Sequence, residues 1–439
     1  MGKLRLGSTV IPQAILPGSG TPTYTNLTVI PSTSQQLITV PSGYNGYNQI
    51  TVNAVNSSID ANITAGNIKR GVTILGTTGN YGSELQFRYI ERNLVTNNKL
   101  TYPSIILQTQ GIKELGESVL CDAYHNNIYL QGEVCFPELT VISGNNAAYN
   151  CFCNCTNITS VNLSSLVIIN GPNSAHNCFH GCTNLTSVNL CNLTTIIGWY
   201  AMEYAFCCCP SLTSINLSNL TFVNQRGLER TFINVAIPSI NLCNLTTVNS
   251  GGLLYTFGYC NNLTSVNLSK LSFVGGNALE WTFWHCNNLT TISFPSLVNI
   301  TTSGSLSFNE TFRDCPNLRS VYFNNLTTVS ATNTFLNTFK NCTNLTTMNF
   351  PMLSVINKGN AFRGCFDGCT ALSSIYFPAL TSSSFGTVTT QFNSMLVNVN
   401  NCVVHFPSSV QSTINTWSDV TGGFGGTNCR AAFDLPATS

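Results

Sequence analysis

Charge is what this 439-residue chain has least of. Asp, Glu, Lys and Arg together make up 8% of it, against about 25% in an ordinary soluble domain. The net charge of +1 gives no field of one sign, which argues against nucleic acid or an anionic membrane as partner. No apolar run reaches the length of about 18 residues that a spanning helix needs, so membrane insertion is not expected. The opening Met1-Gly-Lys-Leu-Arg-Leu-Gly7 lacks the apolar core of a signal peptide, which predicts folding in a cytosol. Scarce charge with scarce apolar residues would mean disorder, but 43% of the chain is hydrophobic, enough to bury a core.

The usual signatures of chemistry are missing too. The histidines are His125, His176, His180, His285 and His405, and none lies in a His-Glu-x-x-His arrangement. There is no Gly-x-Ser-x-Gly elbow, Walker loop or dinucleotide fingerprint. Gly422-Gly423-Phe424-Gly425-Gly426 reads as a turn. The acidic residues Glu203, Glu229, Glu280, Glu310 and Asp314 are spread along the chain. Two could meet across neighbouring units, as a glycosidase requires, but a solvated surface role is the plainer expectation. No catalytic residue and no cofactor is expected.

Cysteine is abundant, with 20 residues, and its placement is periodic. Between residues 150 and 380 a pattern Phe-x-x-Cys-x-x-Leu-x-x-Val-x-Leu-x-x-Leu recurs. Its cysteines are Cys155, Cys182, Cys209, Cys260, Cys286, Cys315, Cys342 and Cys369. Each stands three residues after a phenylalanine: Phe152, Phe179, Phe206, Phe257, Phe283, Phe312, Phe339 and Phe366. Most steps are 26, 27 or 29 residues, and the one double step, Cys209 to Cys260, spans a degenerate unit around Phe232–Leu242. In each unit the Leu185-x-x-Val188-x-Leu190 type of segment reads as a strand with Val and Leu on one side. A unit this short cannot hide its apolar side alone, so units stack into a solenoid with a parallel sheet. Counting partial units from Val134-x-Phe136 to Val404-x-Phe406 gives about eleven rungs at about 4.8 Å each. Phe-x-x-Cys is expected as a short helix or 3-10 turn with both side chains inward. The repeated cysteines then form a ladder of buried thiols, in preference to a disulfide framework or a metal site. Cys151-x-Cys153-x-Cys155 and Cys207-Cys208-Cys209 lack zinc-knuckle spacing and a histidine nearby in the chain, so no metal is expected.

The repeat resembles the BspA-type leucine-rich repeat over about residues 134–406. That resemblance implies a surface or adhesive protein and names no ligand. Residues 1–82 differ, being rich in Thr, Ser, Asn and Val. Within them Ser58 to Gly76, with its Gly-Val-x-Ile-Leu-Gly ending, resembles a segment of bacteriophage tail and fibre proteins, covering about residues 45–82. The expected organisation is therefore a β-rich virion-attachment module (1–82), a connecting β segment (83–133), the solenoid (134–406) and a C-terminal cap (407–439). In the cap, Val410, Ile414 and Trp417 share a helix face, Ser408 or Ser409 is the N-cap, and Arg430–Leu435 is a last strand.

Within the solenoid, Asn162, Asn189, Asn216, Asn241, Asn267 and Asn349 stand in register between the inward strand residues and are candidates for amide ladders. The outer side varies more. Two residues before each phenylalanine stand Asn150, Asn177, Tyr204, Arg230, Tyr255, Trp281, Glu310, Asn337 and Gly364. Together with Tyr259, Trp284 and His285, the residues Tyr204, Arg230, Tyr255 and Trp281 are the candidate ligand-binding strip, because aromatic faces stack on sugar rings. The other reading is that these rings pack between rungs. The expected function is a non-enzymatic bacteriophage virion protein, a tail-fibre-like or other surface-exposed adhesin, assembled in the host cytoplasm. It would join other virion proteins through its N-terminal module and bind a bacterial surface receptor, glycan or protein. A homotrimer would suit a fibre, although no heptad repeat supports one. The alternatives are a bacterial cell-surface adhesive repeat protein and a structural decoration protein without a ligand.

Overall fold

The computed structural model describes residues 112–301 and 306–436, together with the backbone of short strands at 4–6, 9–11, 24–29, 46–52, 73–74, 77–78 and 107–108. Apart from the strands at 46–52, 73–74 and 77–78, the phage-like segment at 45–82 lies outside the described residues, as do the connecting strands expected around residues 85–89.

The repeat folds as expected, into coils stacked as a parallel solenoid. Each coil carries two strands. One row runs through eleven strands from Gly132–Cys135 to Val403–Pro407, and the second, two-residue row runs from Glu114–Leu115 to Val355–Ile356. Pairing is in register and parallel: Ser160, Val161 and Asn162 face Ser187, Val188 and Asn189, which in turn face Ser214, Ile215 and Asn216. The solenoid also begins earlier than the repeat pattern suggests. Glu114–Leu115 already pairs with Val141–Ile142, and Tyr124 stacks on Phe152 at 5.1 Å, so residues 112–133 are coil and not connector. The first row breaks between Ser214–Asn216 and Ser239–Asn241. This is the degenerate unit, and its Pro238 has no N–H to give to the ladder.

The third side of each coil differs from expectation. It is a run of consecutive β-turns, not a helix. Every fourth residue is left-handed, for example Asn146, Asn150 and Asn154 at φ 53, 50 and 57°. Alternate N–H groups close i→i+3 turns, as Cys151 N does on Ala148 O, while those between reach the next coil, as Phe152 N does on Cys178 O at 2.7 Å. Every second backbone donor is thus spent on stacking, which a helix would have kept to itself.

The interior is columnar. From Phe152 to Phe366 the repeat phenylalanines stack at 4.9–5.7 Å with planes within 9° of parallel. A second aromatic column, Phe294, Phe323, Phe350, Phe377 and Phe406, fills the C-terminal coils. All eight repeat cysteines are buried and free. Each thiol donates to the carbonyl of the aromatic residue one coil back, as Cys182 does to Phe152 O at 3.2 Å, Cys286 to Phe257 O at 3.1 Å and Cys369 to Phe339 O at 2.9 Å. Threonine does the same beside the phenylalanines, with Thr256, Thr282 and Thr311 each 2.8 Å from a carbonyl of the preceding coil. Burial pushes the thiols of Cys155, Cys209, Cys260 and Cys315 up to about 12, so they stay protonated and keep donating. In the degenerate unit Val235 fills the place with no donor.

Gly144, Gly171 and Gly198 form another column. A Cβ on Gly171 would lie 2.2 Å from Gly144 O, and one on Gly198 2.0 Å from Gly171 O. The asparagines between the inward strand residues are in register, but their amides do not form a ladder. Asn162, Asn189, Asn216, Asn241 and Asn267 turn back on their own coil, Asn189 Oδ1 accepting from Cys191 N at 3.2 Å and Asn216 Oδ1 from Ser218 N at 3.1 Å, because the Leu-x-x-Leu bend that follows leaves that N–H free. Asparagines three residues further on do join coils, as Asn219 Nδ2 does with Cys191 O at 2.7 Å.

The cap places Val410 and Ile414 fully inside and Trp417 edge-on to Phe385 at 5.0 Å. Arg430–Leu435 adds the last parallel strand. Serine capping does not occur. The segment enters as a 3-10 turn, Ser408–Val410, with Pro407 at its N-cap, and runs on into helix Gln411–Ile414.

Candidate functional site

The turn side of the coil carries the side chains singled out in the sequence. Tyr204, Arg230, Tyr255 and Trp281 occupy the left-handed position two before the phenylalanine on four successive coils, with φ of 53, 52, 57 and 52°. Tyr259 and His285 hold the left-handed position two after it, at 59 and 56°. A turn of period four and a helix both send residues at −2 and +2 away from an inward phenylalanine, so these positions point outward although the backbone is not helical.

These side chains pack on one another at the surface. Tyr255 meets Trp281 edge-on at 6.0 Å and Trp284 at 5.3 Å. Tyr259 stacks on His285 at 4.9 Å and meets Trp284 at 4.9 Å. The Arg230 guanidinium lies over Tyr204 at 5.5 Å and over Tyr255 at 5.9 Å. Tyr204, Arg230, Tyr255, Trp281 and Trp284, joined by Ile233, Glu310 and Arg313, line an open groove of about 430 Å³. Tyr259 and His285 flank Trp284 on its far side. Ile233 and Arg313 were not anticipated. Their signal was available, since both directly follow the repeat phenylalanine, in the same row as Trp284.

Carboxylates hold the cations and indoles in place. Trp281 Nε1 donates to Glu310 at 2.9 Å, and Trp284 Nε1 to Asp314 at 3.0 Å. Arg313 pairs with Glu310 at 2.6 Å and with Asp314 at 3.3 Å. Arg230 reaches Glu229 at 2.6 Å and Glu203 at 3.6 Å. Burial works to raise the pKa of Asp314, but hydrogen bonds from Asn341 and Trp284 and the charges of His285 and Arg313 outweigh it and hold the carboxyl below its ordinary value.

The expectation that the acidic residues are solvated fails for two of them. Glu229 is 1% exposed and Glu280 8%. Each lies three residues before its phenylalanine, where the turn points it under the outer row. Glu229 is clasped by Arg226 and Arg230, and Glu280 accepts from Asn277 and Asn309. Burial, opposed by Arg226 and reinforced by Glu203, leaves Glu229 with a raised pKa. Locked between two guanidiniums, it supports the groove wall and has no free edge to act as an acid. Elsewhere on the turn side, His180 on one coil lies beside Cys207 and Cys208 on the next, a histidine 27 residues from Cys207 in the chain that stacking brings to it.

Among the described residues, no helix is long and apolar enough to cross a membrane. Comparison with protein families matches the BspA type leucine rich repeat region in overlapping copies at residues 101–230, 145–275, 175–311, 203–365 and 308–415. Solved structures with similarity include a leucine-rich repeat protein from Bacteroides ovatus, 17% identical, covering 76% of this chain and 93% of that one with a TM-score of 0.32. A leucine rich cell surface protein from Faecalibacterium prausnitzii is 16% identical and covers 75% and 87%, with a TM-score of 0.25. Comparison with curated proteins gave no match. The family match spans well over half the chain, and the buried Phe, Cys and Leu columns are the repeat it describes: this chain belongs to the BspA-type leucine-rich repeat family.

Proposed function

We propose that this protein is a cell-surface adhesive protein, non-enzymatic, that binds carbohydrate in the groove between Tyr204 and Trp284. The family favours a surface adhesive role over a virion one. The virion reading rested on residues 45–82, and the family match begins only at residue 101.

One observation carries the assignment of the groove. A left-handed backbone is strained for any residue but Gly and, less so, Asn or Asp. On the outer coils the row two before the phenylalanine obeys this rule, with Asn150, Asn177, Asn337 and Gly364. On the middle coils the same row holds Tyr204, Arg230, Tyr255, Trp281 and Glu310. Bulky residues placed where they cost stability, gathered in one groove, are the mark of a site kept for function. The groove offers indole and phenol faces for sugar rings, with Arg230, Glu310 and Arg313 at its walls as hydrogen-bonding partners for hydroxyls.

The test is retention of the purified chain on immobilised bacterial envelope polysaccharide. Replacing Tyr204 and Trp281 together with alanine should weaken binding at least about tenfold, roughly 1.4 kcal/mol. Free oligosaccharide should compete. Unchanged retention of the double variant would remove the groove from consideration.

A further inference from the structure

We propose that His180, Cys207 and Cys208 form a binding site for a thiophilic, low-coordinate cation, copper(I). It adjoins the carbohydrate groove, His180 meeting the groove's Tyr204 edge-on at 6.4 Å, but uses none of the groove-lining residues and does not rest on carbohydrate binding there. A ring nitrogen of His180 and the two sulfurs all lie within 4.8 Å of one another, and the sulfurs of Cys207 and Cys208 are 3.1 Å apart. The Nδ1 of His180 is buried and has no hydrogen-bond partner. A buried polar atom without a partner calls for explanation, and a cation held jointly with two sulfurs supplies one.

Stacking makes the arrangement. His180 follows Phe179, and Cys207 follows Phe206. The two rings lie 5.4 Å apart with planes 3° from parallel, so the residues after them are neighbours across coils. Cys208 comes next in a left-handed turn at φ 60°, and the matching place on the coil before is Gly181, which has no side chain to crowd the histidine.

The donor set selects the ion. Two thiolates and one imidazole are soft to borderline ligands, which suit copper(I). Structural zinc takes four protein ligands, and three gather here among the described residues. Burial, with His176 beside it, depresses the His180 pKa, so the ring is neutral with a lone pair to give. Burial and the neighbouring Cys208 raise the Cys207 thiol above its ordinary value. Binding then exchanges two thiol protons for one Cu(I), with no change of oxidation state. The bound ion ties two adjacent coils together.

The full chain, fully reduced and kept under argon, is titrated with copper(I) buffered by a coloured copper(I) chelator. The expected result is one ion withdrawn from the chelator per chain, with thiolate-to-copper absorption in the ultraviolet and a higher unfolding temperature. Cys208→Ser and His180→Asn should each weaken the site by more than the roughly 10–100-fold typical of losing a partner that merely supports a ligand. Cys191→Ser, at a half-exposed thiol elsewhere on the coil, should leave it unchanged. Circular dichroism of each variant separates loss of the site from loss of the fold. Failure to take copper from the chelator overturns the proposal, as does binding that survives both ligand variants. Zinc held one to one against excess copper(I) overturns the choice of ion.

Discussion

The strained aromatics of the groove can be tested directly by giving them the residue that the outer coils use. In a Tyr255→Asn, Trp281→Asn double variant, asparagine accepts the left-handed backbone that costs other residues about 1–2 kcal/mol each. Relief of strain therefore offsets what is lost. The losses are the edge-on contact of the two rings at 6.0 Å and the tilted contact of Tyr255 with Trp284 at 5.3 Å, each worth about 0.5–1.5 kcal/mol. To these is added the Trp281–Glu310 hydrogen bond of 2.9 Å, worth about 1 kcal/mol. The net change should be no more than about 2 kcal/mol for two large side chains, because the gain from strain is of the same size as the loss from contact. The contrast is Phe283→Ala. That ring is fully buried and stacked at 5.7 Å on Phe257 and at 5.5 Å on Phe312, and its removal should cost about 3–5 kcal/mol. Urea denaturation followed by circular dichroism measures both, with carbohydrate binding assayed on the same samples. If the asparagine pair costs as much as Phe283→Ala, the groove rings are core and the strain argument is wrong. If the pair leaves both stability and binding intact, the groove is not the site.

Cys286→Ala removes a thiol donor from Phe257 O and leaves a small void, and should cost about 2 kcal/mol, whereas Cys286→Val, which copies Val235, should cost about 1 kcal/mol; urea midpoints of the two variants check the order. Gly198→Ala should destabilise by at least about 1–3 kcal/mol, because its Cβ would fall 2.0 Å from a backbone oxygen of the neighbouring coil, and a melting temperature equal to wild type would show that the column has slack. The depressed pKa of Asp314 has a definite sign: its contribution is complete above the ordinary carboxylate value near 3.8 and is lost as pH falls from there through the folded value. Asp314→Asn should therefore flatten the acid limb of a stability-against-pH curve, and an unchanged limb would mean that the carboxyl is not held by its partners.

Periodicity told most about what is hidden. Phenylalanine, cysteine and leucine recur because each coil needs the same inward side chains, and the columns from Phe152 to Phe366 and from Cys155 to Cys369 stand where the spacing puts them. The backbone of the turn side was misread for a physical reason. A helix and a four-residue turn both bring residues three apart inward and send those at −2 and +2 outward, so side-chain pattern alone does not separate them. The separating signal is residue type at the outward positions. Asn150, Asn154, Asn177, Gly181, Asn337, Asn341, Gly364 and Gly368 are poor helix formers but good left-handed ones, all with positive φ. A helix would not spend eight such residues on its exposed face.

What the chain order conceals is how each coil turns on itself and which side chains of the next coil it meets. Glu229 reads as a surface acid because the residues near it in sequence are polar, yet it is roofed by Arg226 and Arg230 in the turns of its own coil and sits under the outer row. His180 and Cys207 are 27 residues apart in sequence and adjacent in space. The groove draws on Tyr204 at one end and Arg313 at the other, more than a hundred residues apart. In a solenoid the chemically relevant neighbour of a side chain is the one a full coil later, so sites must be sought down columns rather than along the chain. Read that way, the rows beside the repeat phenylalanines hold the side chains of the groove and of the His180, Cys207 and Cys208 cluster, while the columns facing inward recur with few exceptions, such as Val235 in the cysteine column. The scaffold is fixed by the residues that recur, and binding falls to those that break the recurrence at positions where asparagine would have been the easier choice.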